Sequence, residues 1–412
     1  MPTIEAQVVV VGGGIAGLWT LRELLGAGVD AVLVSRGPLG GGQTIGSQGI
    51  VHGGIKYALG GKAQRASQSL AETVGSWRAA LAGRGIVDLR AARVLTDHQY
   101  LWTTGGLGAR VFGFAASRVL RSGVTVVRAP ERPDVFNGAP PGIDVYRVEE
   151  VVLDPESLVR ALAADVGVRI VQGDQVRACG DGGVVERVTA RSDGVEERTL
   201  VGAHYVLAAG SGNAALLGSI GSVMGPGAGG EGLMQRRPLH MVMARGAALR
   251  PIWGHCLGAG TLPRATITTQ PDRGGRVVWY IGGGPAESGV LLDRAEQIEA
   301  ARREVASCLP WVSLAGVEWA TLRIDRAEGR MPDGSRPDEP VVLRPAEASN
   351  VVAAWPTKLA FAPLCARRVI RALGFEGRSS VRPAPAPIGG GDAPAEPTVA
   401  RLPWNEEGLE WS

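Results

Sequence analysis

Cysteine is scarce. Cys179, Cys256, Cys308 and Cys365 are spread over 412 residues without a CxxC spacing. That pattern excludes a disulfide framework and a cysteine-built metal centre, so no metal is expected, and it fits a reducing, cytoplasmic compartment. Charge of one sign is missing too. The formal net charge is +3 and no basic run stands out, which removes the electrostatic footprint of a nucleic-acid binder. Long apolar runs are absent: MVMARGAALRPIWGHCLGAG is broken by Arg245 and Arg250, too early to span a bilayer, although peripheral membrane contact stays open. The N-terminal MPTIEAQVVVVGGG lacks a basic stretch ahead of a cleavable apolar run and reads as a strand. No tandem repeat is visible. With 45% hydrophobic and 20% charged residues, the chain is folded rather than disordered, and its length suits two domains.

What is abundant is glycine, placed in patterns. In AQVVVVGGGIAGLWTLRELLGAGVDAVLVS, Gln7 to Val11 is the β-branched run of a strand covered on both faces. Gly12, Gly14 and Gly17 then give GxGxxG, Leu18 to Leu25 has helical spacing, and Ala31 to Val34 is a second strand. The three glycines serve a tight turn, close approach of a pyrophosphate, and close packing of helix on strand. The phosphates are expected at the helix N-terminus, on the free N–H groups of Ile15, Ala16 and Gly17. Ser35 stands where a ribose-binding acid is expected, roughly 20 residues after the glycines. Arg36 beside it could meet a 2′-phosphate, which keeps an NADP-dependent enzyme in play.

A second glycine-rich stretch, GGGQTIGSQGIVHGGIKY, follows that strand. With the dinucleotide motif it resembles the FAD-dependent family that contains D-amino acid oxidase, glycine oxidase, L-2-hydroxyglutarate dehydrogenase and glycerol-3-phosphate dehydrogenase. Its ending, His52-Gly53-Gly54-Ile55-Lys56-Tyr57, is nearest to the glycerol-3-phosphate and hydroxyglutarate enzymes. The resemblance implies an α/β fold: a Rossmann-like FAD-binding domain of glutathione-reductase type, with an α+β second domain whose antiparallel sheet roofs the substrate. It implies FAD as cofactor, with Gln43, Thr44, Ser47, Gln48, Gly49 and Ile50 running along the pyrophosphate and under the ring. A backbone lying against a flat ring cannot carry a large side chain at every position.

Further stretches extend the likeness. VVLDPESLVRALAADVGVRIVQGDQVRAC looks like the family's second FAD-contacting section, with the backbone of Val176 at the adenine. The strand ending Ala208-Ala209-Gly210 passes the cofactor. In NVVAAWPTKLAFAPLCARRVIRAL, the turn Pro356-Thr357-Lys358-Leu359 leads into a helix whose N-terminus would face the flavin. The expected domains are residues 1–87, 149–234 and 323–375 for FAD, and 88–148 with 235–322 for substrate. Residues 376–412 form a Pro/Gly-rich tail with enough tryptophan to dock back.

His52 is the leading base, because imidazole titrates near neutrality. Its alternative is a packing role. Lys56, Arg323, Arg326 and Lys358 are candidates for binding a small anionic substrate. Lys358 with the helix N-terminus would also stabilise an anionic reduced flavin, and Tyr57 is a further catalytic candidate beside Lys56. Arg326 pairing with Asp325 or Glu328 is the bland alternative. His240 and His255 flank the expected roof and read first as structural, with His255 kept as a catalytic candidate. The implied reaction is hydride transfer from a CH–OH carbon to flavin N5, with oxygen, a quinone or another carrier as acceptor. The alternatives are an amine or amino acid oxidase, and a non-catalytic flavin- or nucleotide-binding protein.

Overall fold

Alternation along the first strand sets two layers. A computed structural model describes residues 3–53, 64–104, 124–181, 183–220, 232–258, 263–346, 348–378 and 396–412. In strand Thr3–Val11, Val8 and Val10 join a core with Leu18, Leu21, Leu158, Leu162 and Val369. Val9 and Val11 point the other way, into a core with Val185, Val188, Leu216 and Leu217. Both faces are covered, which is why the run is uniformly β-branched.

Four strands flank this one in a parallel core: Ala31–Arg36 and Ile170–Gly173 on one side, Val195–Leu207 and Val351–Trp355 on the other. Val341–Leu343 closes one edge antiparallel, and an antiparallel ladder of Gln175–Asp181 and Val184–Ser192 leans on Val195–Leu207. Helices Ile15–Gly26, Pro155–Ala163 and Ala362–Leu373 lie against the first face. This is the expected doubly covered Rossmann-like unit.

The second sheet has eight strands, ordered Glu318–Gly329, Met234–Arg245, Val277–Gly282, Ala265–Pro271, Trp253–Cys256, Gln99–Trp102, Val145–Val148 and Val124–Val126. All neighbours are antiparallel except Trp253–Cys256 with Gln99–Trp102. Helix Arg294–Cys308 covers its outer face, started by a reciprocal cap in which Asp293 and Glu296 bond each other's backbone N–H.

The expected domain bounds change. Glu318–Gly329 pairs with Met234–Arg245 along its whole length, Arg323 opposite His240 and Arg326 opposite Arg237. The domain boundaries expected at 234/235 and 322/323 therefore fall inside this ladder. An unbroken twelve-residue pairing cannot be divided between two sheets, so Arg323 and Arg326 belong to the roof. In the tail, residues 379–395 lie outside the described residues, and residues 396–412 are docked, with Leu402 and Trp404 buried.

One buried charge ties two helices of the first layer together. Arg22, on helix Ile15–Gly26 and 8% exposed, donates to the carbonyls of Leu162 (2.8 Å), Ala161 (3.0 Å) and Ala164. These carbonyls end helix Pro155–Ala163, so a cation meets the negative pole of that helix. Arg22→Met should lower unfolding free energy by about 2–4 kcal/mol, because it leaves buried acceptors unpaired. A denaturant midpoint within error of the parent would contradict this.

Candidate active site

The two sheets enclose a cavity of about 1160 Å³. Its floor begins at the first βα turn, where each glycine has a separate reason. Gly12 sits at φ +125°, and a Cβ there would lie 2.5 Å from the Ala208 carbonyl. A Cβ on Gly17 would lie 1.8 Å from the Gly12 oxygen. These two glycines serve packing of the turn, and Gly17 does not line the cavity. Gly14 differs: its Cβ would meet only Thr44 Oγ1, at 3.2 Å, and otherwise project into open space.

Gly14 is also the N-cap of helix Ile15–Gly26, with no side-chain cap of its own. The Ile15 N–H donates to Thr44 Oγ1 at 3.0 Å. Gly14, Ile15 and Ala16 line the cavity, so an uncapped positive helix end opens into it. That geometry suits a diphosphate.

Ser35 and Arg36 line the same cavity, at the end of the second strand. Ser35 is 3% exposed, and its Oγ lies 2.3 Å from where a Gly13 Cβ would be. A longer acid at 35 would therefore have to extend outward into the cavity. Val176 and its neighbour Arg177 line the wall beside them, and Ala209 and Gly210 the wall beyond. Buried Asn213 holds that turn, accepting from Ala209 N (2.8 Å) and donating to Leu207 O (3.0 Å).

The glycine-rich segment crosses from floor to roof. Gln43 Oε1 accepts from Ala327 N at 3.1 Å. The Gln48 amide donates to Tyr280 O (2.9 Å) and Thr266 O (3.2 Å). The Tyr280 hydroxyl donates to Gly46 O at 2.8 Å, and full burial pushes that phenol up, keeping it a donor. Gln43, Thr44, Ser47 and Gln48 line the cavity; Gly49 and Ile50 do not. Gly49 (φ +70°) and Ile50 instead anchor the segment to Val152–Leu153, where a Gly49 Cβ would stand 1.9 Å from Leu153 O.

At the other end, Pro356, Lys358 and Leu359 line the cavity. Thr357 turns away at φ +63° and donates to Glu339 O at 3.0 Å. Lys358 Nζ lies 5.5 Å from the Phe361 ring centre. Arg326 lines the roof and pairs with Glu287 at 3.3 Å, not with Asp325 or Glu328, which Arg236 and Arg237 take. Burial first, and the Arg237 guanidinium second, pull Arg326 below its ordinary value. Arg323 also borders the cavity, but its guanidinium donates to the carbonyls of Val290 (2.6 Å) and Leu292 and is held there.

His52 lies off the cavity lining. Its Nδ1 is 3.3 Å from Glu150 Oε2. Glu150, 5% exposed, also accepts from Gly53 N (2.7 Å) and Gln99 Nε2 (3.2 Å). The His52 ring stacks on His255, 6.1 Å between centroids and 23° between planes. His255 Nδ1 is 2.8 Å from Thr266 Oγ1, and Thr266 O takes the Gln48 amide, so the pair connects to the cavity wall. His240 is buried against Gly289 O (3.0 Å), and burial lowers its pKa, a structural role. Lys56 and Tyr57 lie outside the described residues. Among the described residues no group of His, Cys, Asp and Glu could hold a metal.

Sequence reading missed Glu150, Gln99, Arg177, Glu287 and Arg401. Only Glu150 has a local sign, the acid pair Glu149-Glu150 ahead of the apolar run Val151 to Leu153.

An uncapped helix end, a glycine floor and an antiparallel roof fit an FAD-binding oxidoreductase. The DAO family model, described as FAD dependent oxidoreductase, matches residues 7–372, and the chain belongs to that family. It is 42% identical over 375 residues to the probable FAD-dependent oxidoreductase PA4991 of Pseudomonas aeruginosa, covering 91% of this chain and 92% of that one. The crystal structure of PA4991 superposes with a TM-score of 0.79 at 37% identity, covering 98% of this chain and 99% of that one. Iminodiacetate oxidase from Chelativorans sp. BNC1 (TM-score 0.64, 14% identity, 92% and 98% covered) shares the fold. So does L-α-glycerophosphate oxidase from Mycoplasma pneumoniae (0.62, 12%, 92% and 97%). The cofactor is FAD, and no helix among the described residues is long and apolar enough to cross a membrane.

Gly14→Val should leave the fold intact, because little protein is near, and yield apoprotein, because the side chain fills the diphosphate position. Flavin released per chain on denaturation measures it; full FAD content would place the diphosphate elsewhere.

Proposed function

We propose that the enzyme oxidises a CH–OH carbon of a small anionic substrate, a 2-hydroxy acid or a polyol-phosphate-like alcohol, with His52 as the proton acceptor. The observation that carries this reading is the contact of His52 with buried Glu150. A carboxylate on Nδ1 orients the imidazole and stabilises its protonated form, leaving Nε2 as the basic atom. A hydroxyl needs such a base, since its proton leaves as the carbon is oxidised. FAD, when bound, supplies the two-electron acceptor. The chain supplies position and charge.

Anionic substrates are favoured by the lining. Among the described residues it carries Arg36, Arg177, Arg323, Arg326, Lys358 and Arg401 against Glu287, Asp325 and Glu406. A cofactor diphosphate uses part of that excess. Lys358, beside Leu359 at the start of the C-terminal helical turn, is the cation assigned to the substrate's anionic group. Electrons then leave to oxygen, a quinone or another carrier, which reoxidation rates with each will separate.

Anaerobic stopped-flow reduction, after screening hydroxy acids, polyol phosphates and amino acids, tests the proposal. His52→Ala should retain FAD and slow reduction by about 10²–10⁴-fold, the usual loss of a general base. Glu150→Gln keeps the shape but removes the charge and should lower kcat with KM little changed. Reduction of His52→Ala at the parental rate would reduce His52 to a packing residue. Reduction by amino acids alone would make the donor an amine.

A further inference from the structure

We propose that the C-terminal segment, residues 396–412, is part of the FAD site, clasping the cofactor's glycine wall to the roof, with Arg401 completing the cationic lining. The inference rests on the cofactor, not on the choice of substrate.

On one side the segment pairs with the loop that follows strand Ala31–Arg36. Thr398 O accepts from Leu39 N (2.8 Å) and Ala400 N donates to Leu39 O (2.9 Å), a parallel bridge on both sides of Leu39. Gly40 N in turn donates to Gly13 O at 2.8 Å, so the clasp is two links from the GxGxxG turn. Gln172 Oε1 accepts from Thr398 N, and its amide donates to Thr398 O, both at 2.9 Å.

On the other side it seats on the roof. Trp404 is 3% exposed, 5.4 Å from the Tyr280 ring, and donates to Pro271 O at 3.3 Å. Tyr280 is the residue whose hydroxyl holds Gly46. Further along, Arg245 stacks 4.0 Å over Trp411, and Ser412 N donates to Trp319 O at 2.9 Å. Between these two anchorages Arg401, Pro403 and Glu406 line the FAD cavity. Arg401 pairs with Glu407 and adds a cation to the lining from the far end of the chain.

The test compares apoproteins of the full chain, the chain ending at residue 395, Trp404→Ala, Trp404→Phe and Arg401→Ala. FAD is titrated by flavin fluorescence, with far-UV circular dichroism as the check on folding. Truncation and Trp404→Ala should each raise the FAD Kd about tenfold or more, and Trp404→Phe should restore most of it. Arg401→Ala should raise Kd about threefold and flatten its dependence on salt, which loss of packing alone would not do. If the truncated chain does not fold, the Trp404 pair decides. Kd values within twofold of the parent for Trp404→Ala and Arg401→Ala would overturn the proposal.

Discussion

Everything at the site depends on leaving one helix end uncapped. Helix Ile15–Gly26 starts at a glycine with no capping side chain, and among the described residues Thr44 alone reaches its first N–H groups from outside. A helix end left so costs stability unless a ligand or water meets its donors. The surrounding residues are arranged to keep that end open. Gly12 lets the turn close tightly against Ala208 and Gly17 lets the helix close against Gly12, while Gly14 keeps side chains out of the opening. The glycine-rich segment then runs past it to the roof, where Gln48, Gln43 and Gly46 are tied by hydrogen bonds.

The charged residues follow from the same arrangement. Arg326 and Glu287 meet in the roof beside the Arg237–Glu328 pair, whose bonds of 2.8 and 2.9 Å bury Glu328 completely. A buried carboxylate keeps its charge only with such a partner. These pairs link the roof strands and the helix beside them over the cavity, and Arg323, bonded to two backbone carbonyls, adds to the wall more than to the ligand. At the far end of the glycine segment, Glu150 is the buried acid that fixes His52, Gly53 and Gln99 together.

The FAD-binding half was legible in the chain because its rules are local. A β-branched run, three spaced glycines and a helical stripe suffice for a βαβ unit, and they stood as read. The roof was harder. Glu318–Gly329 carries four ion pairs with its neighbouring strand or a nearby helix, and the family resemblance set its arginines at the substrate rather than in a roof strand. The resemblance makes Arg323 a substrate-binding arginine; its guanidinium is taken by Val290 and Leu292, which lie about thirty residues away and leave no sign beside it. Glu150 meets His52 across 98 residues, and Arg401 reaches the cavity from the far end of the chain. Contacts of that range have no local pattern.

The central claim is that the uncapped helix end receives the cofactor's diphosphate. Competition on the apoprotein tests it without any substitution. Rebinding of FAD, followed by flavin fluorescence, is measured against ADP, FMN and riboflavin. The account predicts that ADP competes and that riboflavin, which has no phosphate, competes least. Riboflavin competing as well as FAD itself, with ADP without effect, would contradict it.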